Sequence, residues 1–121
     1  MSEPIFDKQD QLEQIQDGLL EGEQITAVYD AIGTGTGFIG LTDKRVIIQD
    51  RSVTGKRTAI RSIPFSKITS VSAVSEKSLK GKFFAEGAIE ITVGSHSYEV
   101  EFRGHEKAHH VHDVILSRII S

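Results

Sequence analysis

Five residues near the C-terminus, His105-Glu106-Lys107-Ala108-His109, carry the H-E-x-x-H spacing of zinc hydrolases. On a helix the two histidines would share a face one turn apart, and the glutamate would activate a metal-bound water. The surroundings argue against that chemistry. Lys107 puts a positive charge inside the motif, and the string falls in the first turn of a terminal helix. A catalytic zinc also needs a third ligand, usually from a separate element. His112 adds a further imidazole on the same side, about 60° across all three by helical geometry, but one helix cannot easily supply three tetrahedral ligands. The row reads as a solvated or interface-lining edge beside a core stripe, with no resident metal.

A second string, Gly35-Thr36-Gly37-Phe38-Ile39-Gly40, has the G-x-G-x-x-G spacing with which dinucleotide-binding proteins bring a pyrophosphate to a helix N-terminus. Here the following residues, Leu41 to Ile48, are strand-like, so the helix is missing. The glycines are expected to serve a turn and close packing.

Charge gives a third lead. Residues 1–43 hold nine acids and one base, residues 44–82 ten bases and two acids, and residues 83–121 six acids and three bases, so a net charge of −3 hides a sharp division. Arg51, Lys56 and Arg57 surround one hairpin tip, and Lys77, Lys80 and Lys82 fill the loop before Phe83 and Phe84. Such loops suit an anionic lipid surface or an acidic partner. Ordinary solvated tips are the simpler reading, because lysine on loops and edges discourages aggregation. Nucleic acid is not expected: no row of exposed aromatics is apparent for base stacking, and the total charge is negative. The acidic and basic segments are also suited to attracting each other within one chain or across a subunit boundary.

The elements that must hold these residues follow from pattern. The chain has 121 residues, enough for one domain with a single core. It has no cysteine, and its first ten residues lack a signal-peptide pattern, so a cytoplasmic location is expected. Ile and Val number 24 against 6 Leu, which favours sheet, because branched side chains pack well across strands. Leu12, Ile15 and Leu19 predict a short amphipathic helix over about 7–20 with Asp7 as N-cap. Seven strands follow, at about 24–31, 36–42, 44–50, 57–64, 67–75, 86–93 and 97–103. Ile89, Ile91 and Val93 alternate with polar residues, as do Tyr98, Val100 and Phe102 across the Gly94-Ser95 turn, predicting a hairpin with one buried face. Ala108, Val111, Ile115 and Ile119 then form the stripe of a C-terminal helix.

Strands followed by one helix, together with the strings Leu19-Leu20-Glu21-Gly22-Glu23, Leu41-Thr42-Asp43-Lys44-Arg45-Val46-Ile47, Val53-Thr54-Gly55-Lys56 and Ser62-Ile63-Pro64-Phe65-x-x-Ile68, resemble the bacterial pleckstrin-homology (PH)-like domain family. The resemblance spans about residues 19–121. It implies a mainly β fold, a seven-stranded orthogonal sandwich or partly open barrel capped by the C-terminal helix. An extra N-terminal helix would occupy residues 1–21, and the PH-like domain 22–121. It brings no catalytic residue set and no cofactor, and homo-oligomeric rings are a recurrent form. Phosphoinositide-binding PH domains carry bases around the first hairpin; here that loop, Ala31-Ile32-Gly33-Thr34-Gly35-Thr36, has none. The expectation is a non-enzymatic module that associates with itself and then with an unidentified protein partner. Peripheral binding to anionic membrane through loops 51–57 and 77–82 is the alternative.

Overall fold

The computed structural model describes residues 3–32, 35–51, 59–75 and 87–121. A two-residue strand, Ile5–Phe6 (β1), precedes the helix Gln9–Asp17 (α1). Strands then run over Ile25–Asp30 (β2), Thr36–Thr42 (β3), Arg45–Asp50 (β4) and Ala59–Pro64 (β5). A 3₁₀ turn, Phe65–Lys67, leads to Ser70–Ser75 (β6), Gly87–Val93 (β7), His96–Phe102 (β8) and the helix His105–Ile119 (α2). The strands make two sheets, ordered β1-β2-β3-β4-β5 and β6-β7-β8. Every neighbouring pair is antiparallel except β1 on β2, which is parallel.

The inner faces of the sheets enclose the main core, and α2 closes it. Ile39, Leu41, Val46, Ile48, Ile89, Ile91, Val100 and Phe102 meet Ala108, Val111 and Ile115 there. Glu90 lies between two buried isoleucines and is exposed, so the β7–β8 hairpin has the single buried face its alternation predicts. β3 behaves differently, with every residue after Thr36 buried. Its Ile39 and Leu41 face the main core, while Phe38 joins Val28 and Ile47 beneath Leu12 and Ile15 of α1 in a second, smaller core on the other side of the sheet. A strand covered on both faces needs an unbroken apolar run, which is why Gly37 to Leu41 shows no polar alternation.

The sheets meet at one corner, where the Ile32 amide donates to the Glu101 carbonyl at 2.9 Å and the Thr36 hydroxyl to the Glu99 carbonyl at 3.3 Å. They do not close into a barrel: among the described residues β5 and β6 are outer strands of their sheets. All seven predicted strands are present, within a few residues of the expected bounds.

Three details differ from expectation. β1 is an eighth strand, too short to show a period in sequence. The sixth strand starts at Ser70 rather than 67, because the chain after Pro64 first makes the 3₁₀ turn and seats Phe65 and Ile68 in the core. Finally, α1 is shorter than 7–20, and Asp7 does not cap it. Lys8 holds the N-cap position without a side-chain bond, while one Asp7 oxygen accepts from the Asp30 amide and from Lys107 Nζ, both at 3.0 Å. An amide donor and an ammonium from distant elements have taken this carboxylate in place of the local helix amides.

Candidate functional site

The most ordered polar arrangement joins two of the strings singled out above. Thr42 ends β3, and its hydroxyl oxygen accepts from the Lys44 and Arg45 amides at 3.0 Å each, so the side chain fastens the β3–β4 turn. Asp43, in the same turn, accepts from the Gln24 amide at 3.1 Å. Arg45 then reaches Glu23, with Nε at 2.8 Å from Oε2 and Nη2 at 2.9 Å from Oε1, a two-pronged pair. The Glu23 side chain is fully buried. It also accepts from the Thr42 hydroxyl at 2.6 Å and the Leu20 amide at 2.9 Å. Arg45 spends its remaining donors on the Gly18 carbonyl and the Ser62 hydroxyl, at 2.9 and 2.7 Å.

One ion pair therefore ties the end of α1, the entry to β2, the β3–β4 turn and β5 together. The Arg45 guanidinium holds the Glu23 carboxyl at about 2, well below the usual carboxylate range; burial opposes this, and the Leu20 and Thr42 bonds assist it. The acidic and basic thirds of the chain are thus joined by at least one internal pair. Sequence reasoning missed this bridge. Its signal was an acid beside a glycine before one strand and an arginine opening another.

A charged cleft of about 270 Å³ lies where the N-terminal segment meets α2, lined by Asp7, Lys8, Asp30, Ile32, Arg103 and Lys107. Lys107 pairs with Asp7 at 3.0 Å and Lys8 with Asp30 at 3.4 Å. Lys107–Asp7 fastens the segment after β1 to α2 and Lys8–Asp30 fastens it to the end of β2, each partly exposed pair worth about 0–1 kcal/mol. Close to Lys107, the Tyr29 hydroxyl and His110 Nδ1 are 2.7 Å apart. Burial, then the Asp7 charge, pushes the Tyr29 phenol up.

The H-E-x-x-H string does open α2, but its histidines point to solvent. His105 and His109 are exposed, with ring centroids 6.1 Å apart and planes nearly perpendicular. His112 contacts Asp113 at 3.0 Å, so its ring is directed to its neighbour in sequence. No group of three or more metal-ligating side chains converges among the described residues. Replacing His105 and His109 together by alanine should leave the melting temperature within about 2 °C, since neither side chain is buried. Zinc or chelator should likewise leave it almost unchanged. A melting curve with stoichiometric zinc checks both; a large shift would show a metal bound tightly to the folded state.

The G-x-G-x-x-G string runs into β3 and has no helix after it. A Cβ on Gly40 would come within 2.7 Å of the Ile15 side chain, so this glycine lets α1 lie close on the sheet. Gly37 is buried under the Gln49 side chain in the same way. Of the basic loops, Arg51 is exposed just after β4. Lys56, Arg57, Lys77, Lys80 and Lys82 lie outside the described residues, as do Phe83 and Phe84.

On the outer face of the larger sheet, a groove of about 230 Å³ runs beside α1. It is lined by Gln14, Ile15, Asp17 and Gly18 from the helix side and by Phe38, Arg45, Ile47 and Ile60 from the strands. Ile60 on β5 is 54% exposed.

This combination of two open sheets, a closing helix and the Glu23–Arg45 bridge coincides with a family match: residues 3–119 match the bacterial PH domain family. The chain belongs to the bacterial PH domain family. The match extends upstream of the string at 19–23 and takes in α1. The PH domain is similar to two crystal structures of bacterial proteins. One is a DUF1696 family protein with a pleckstrin-homology domain from Shewanella loihica PV-4, with a TM-score of 0.67 and 18% identity over 93% of this chain and 94% of that one. The other is a pleckstrin-homology domain from Shewanella amazonensis SB2B, with a TM-score of 0.67 and 17% identity over 95% and 100%. At such identities the likeness shows the fold. The uncharacterized protein YjqA of Bacillus subtilis (strain 168) is 28% identical over 97 residues, covering 79% of this chain and 72% of that protein. No helix among the described residues is long and apolar enough to cross a membrane.

Proposed function

We propose that this bacterial PH domain is a non-enzymatic association module that assembles first with copies of itself and then with a protein partner. One observation carries the reading. Among the described residues both sheets end in an unpaired outer strand, β5 and β6, and each presents an exposed branched side chain, Ile60 at 54% and Val74 at 49%. Outer strands of this kind are templates for pairing with another chain. The polar groups support the same reading, since the Glu23–Arg45 and Asp50–Arg61 pairs are spent on the chain's own strands. The hydroxyls beside the first pair, Thr42 and Ser62, are held by it and fasten the β3–β4 turn and β5.

Sedimentation velocity over about 5–500 µM should show a concentration-dependent oligomer, and Val74→Lys should weaken it by placing a charge at the edge. Raising salt from about 50 to 500 mM should slow association while leaving a backbone-paired contact intact, because the Debye length falls to a few ångströms. A monomer at every concentration would overturn the self-assembly. If that monomer pelleted with anionic but not neutral vesicles, binding through the basic loops 51–57 and 77–82 would take its place.

A further inference from the structure

β2 has two edges, and its backbone groups alternate between them. One edge pairs with β3, and just past the strand the Ala31 amide still donates that way, to the Gly37 carbonyl at 3.0 Å. The groups on the other edge go to two different elements. The Val28 carbonyl accepts from the Asp7 amide at 3.1 Å, and the Asp30 amide donates to the Asp7 carboxylate at 3.0 Å. One step further, the Ile32 amide donates to the Glu101 carbonyl of β8 at 2.9 Å. Residues 28, 30 and 32 are what this edge would offer to an added strand. Asp7 serves it twice, by its backbone and by its side chain, and so fills the step between β1 and β8.

This cover is slight. β1 pairs with Ala27 and Val28 out of the six residues of β2, and its own side chains, Ile5 and Phe6, are 54% and 40% exposed. It buries little apolar surface, and polar contacts hold it in place. Lys107 fixes the Asp7 carboxylate, while Gln11 Nε2 at 2.7 Å and Lys8 at 3.4 Å fix that of Asp30. Ile5 and Phe6 lie outside both cores, so β1 can leave the edge without opening either. A very short outer strand that ends in charged residues is one of the ways in which proteins blunt the edge of a sheet.

We propose that residues 5–8 are an edge guard: they occupy the outer edge of β2 and keep the larger sheet from adding a strand of a second copy there. β1 itself demonstrates that this edge accepts an extended backbone, through its parallel pairing. The guarded edge is distinct from β5 and β6, so the inference holds whether or not those strands assemble.

The test opens the guard in the full chain. Asp7→Pro removes both the amide given to Val28 and the carboxylate that takes the Asp30 amide, at a position ahead of α1 where proline is tolerated. At about 5 µM its Val28 and Asp30 amides should exchange with deuterium at least about tenfold faster than in the wild type. At about 500 µM it should sediment as a larger species than the wild type, with protection of those amides restored by the new pairing. Leu12→Ala, which loosens the second core and leaves β1 alone, should keep the wild-type size. The gain should persist when Val74→Lys is added, because β6 is a different edge. Wild-type exchange rates in Asp7→Pro, fast exchange without added association, or an equal gain with Leu12→Ala would each overturn the proposal. If Asp7→Pro does not fold, Asp7→Ala, which keeps the amide and loses the carboxylate, must show the same gain to a smaller degree, and its absence would overturn the proposal too. A monomeric wild type beside an associating Asp7→Pro would remove the self-assembly through β5 and β6 and leave the guard standing.

Discussion

Arg45→Met should lower the unfolding free energy at pH 7 by about 3–5 kcal/mol, a loss typical of a buried charge deprived of its partner. Methionine keeps much of the arginine's volume but none of its donors, so Glu23 would remain buried with only the Leu20 amide and Thr42 hydroxyl. The pH dependence separates this cause from a packing defect. In the wild type the Glu23 carboxyl is depressed to about 2. Its contribution is therefore complete above the unfolded value near 4.5, and is lost as pH falls from there towards 2. A shift of this size corresponds to about 3 kcal/mol. In the variant, burial without the guanidinium raises the carboxyl, so acid protonates it and relieves the strain. Urea denaturation of both proteins at pH 7, 4.5 and 3 should show the gap narrowing as pH falls. A gap that stays constant would mean that the pair itself is not what stabilises the junction. Glu23→Gln should be milder than Arg45→Met at pH 7, because the amide leaves no buried charge.

Ile91→Asp or Val100→Asp should prevent folding altogether. Both side chains have no exposed surface and belong to the core shared by the two sheets and α2. A carboxylate there has no partner, and its cost of several kcal/mol approaches the whole stability of a domain this size, about 5–15 kcal/mol. Loss of the cooperative thermal transition and of β-sheet circular dichroism is the expected reading; a folded Val100→Asp protein would contradict the position of the core. The adjacent exposed residue behaves oppositely. Glu99 lies directly across from Glu90 in the β7–β8 register. Glu99→Lys, which alternation alone makes nearly silent, should therefore stabilise slightly, by about 0.2–1 kcal/mol, by turning a like-charge pair into an attractive one.

Sequence alone was sufficient for seven strand positions along the chain, the presence of the two helices and the inward residues of the β7–β8 hairpin and α2. These depend on periods of 2 and 3.6 residues, and each period is written locally by alternating Ile89 to Val93 and Tyr98 to Phe102 or by Ala108, Val111 and Ile115. What counts against the two chemical motifs is local in the same way. A G-x-G-x-x-G string without a following helix and an H-E-x-x-H string on a single terminal helix each lack the second element their chemistry requires.

Tertiary structure decided whatever depends on partners far apart in the chain. Asp7 has the sequence position of a helix cap, but its oxygen faces Lys107, and no local rule reveals a contact across 100 residues. Glu23 and Arg45 were visible only as two charged residues in separate strings. Their joint burial, and hence the depressed carboxyl, exists only once β2, β3 and β4 are side by side. The groove beside α1 is likewise a matter of width, a single helix laid on a five-stranded sheet. Hydrophobic pattern records that Ile47 and Ile60 are apolar. Only the assembled sheet leaves Ile47 covered and Ile60 open, because Ile47 packs in the core beneath α1 and Ile60 lies beyond it.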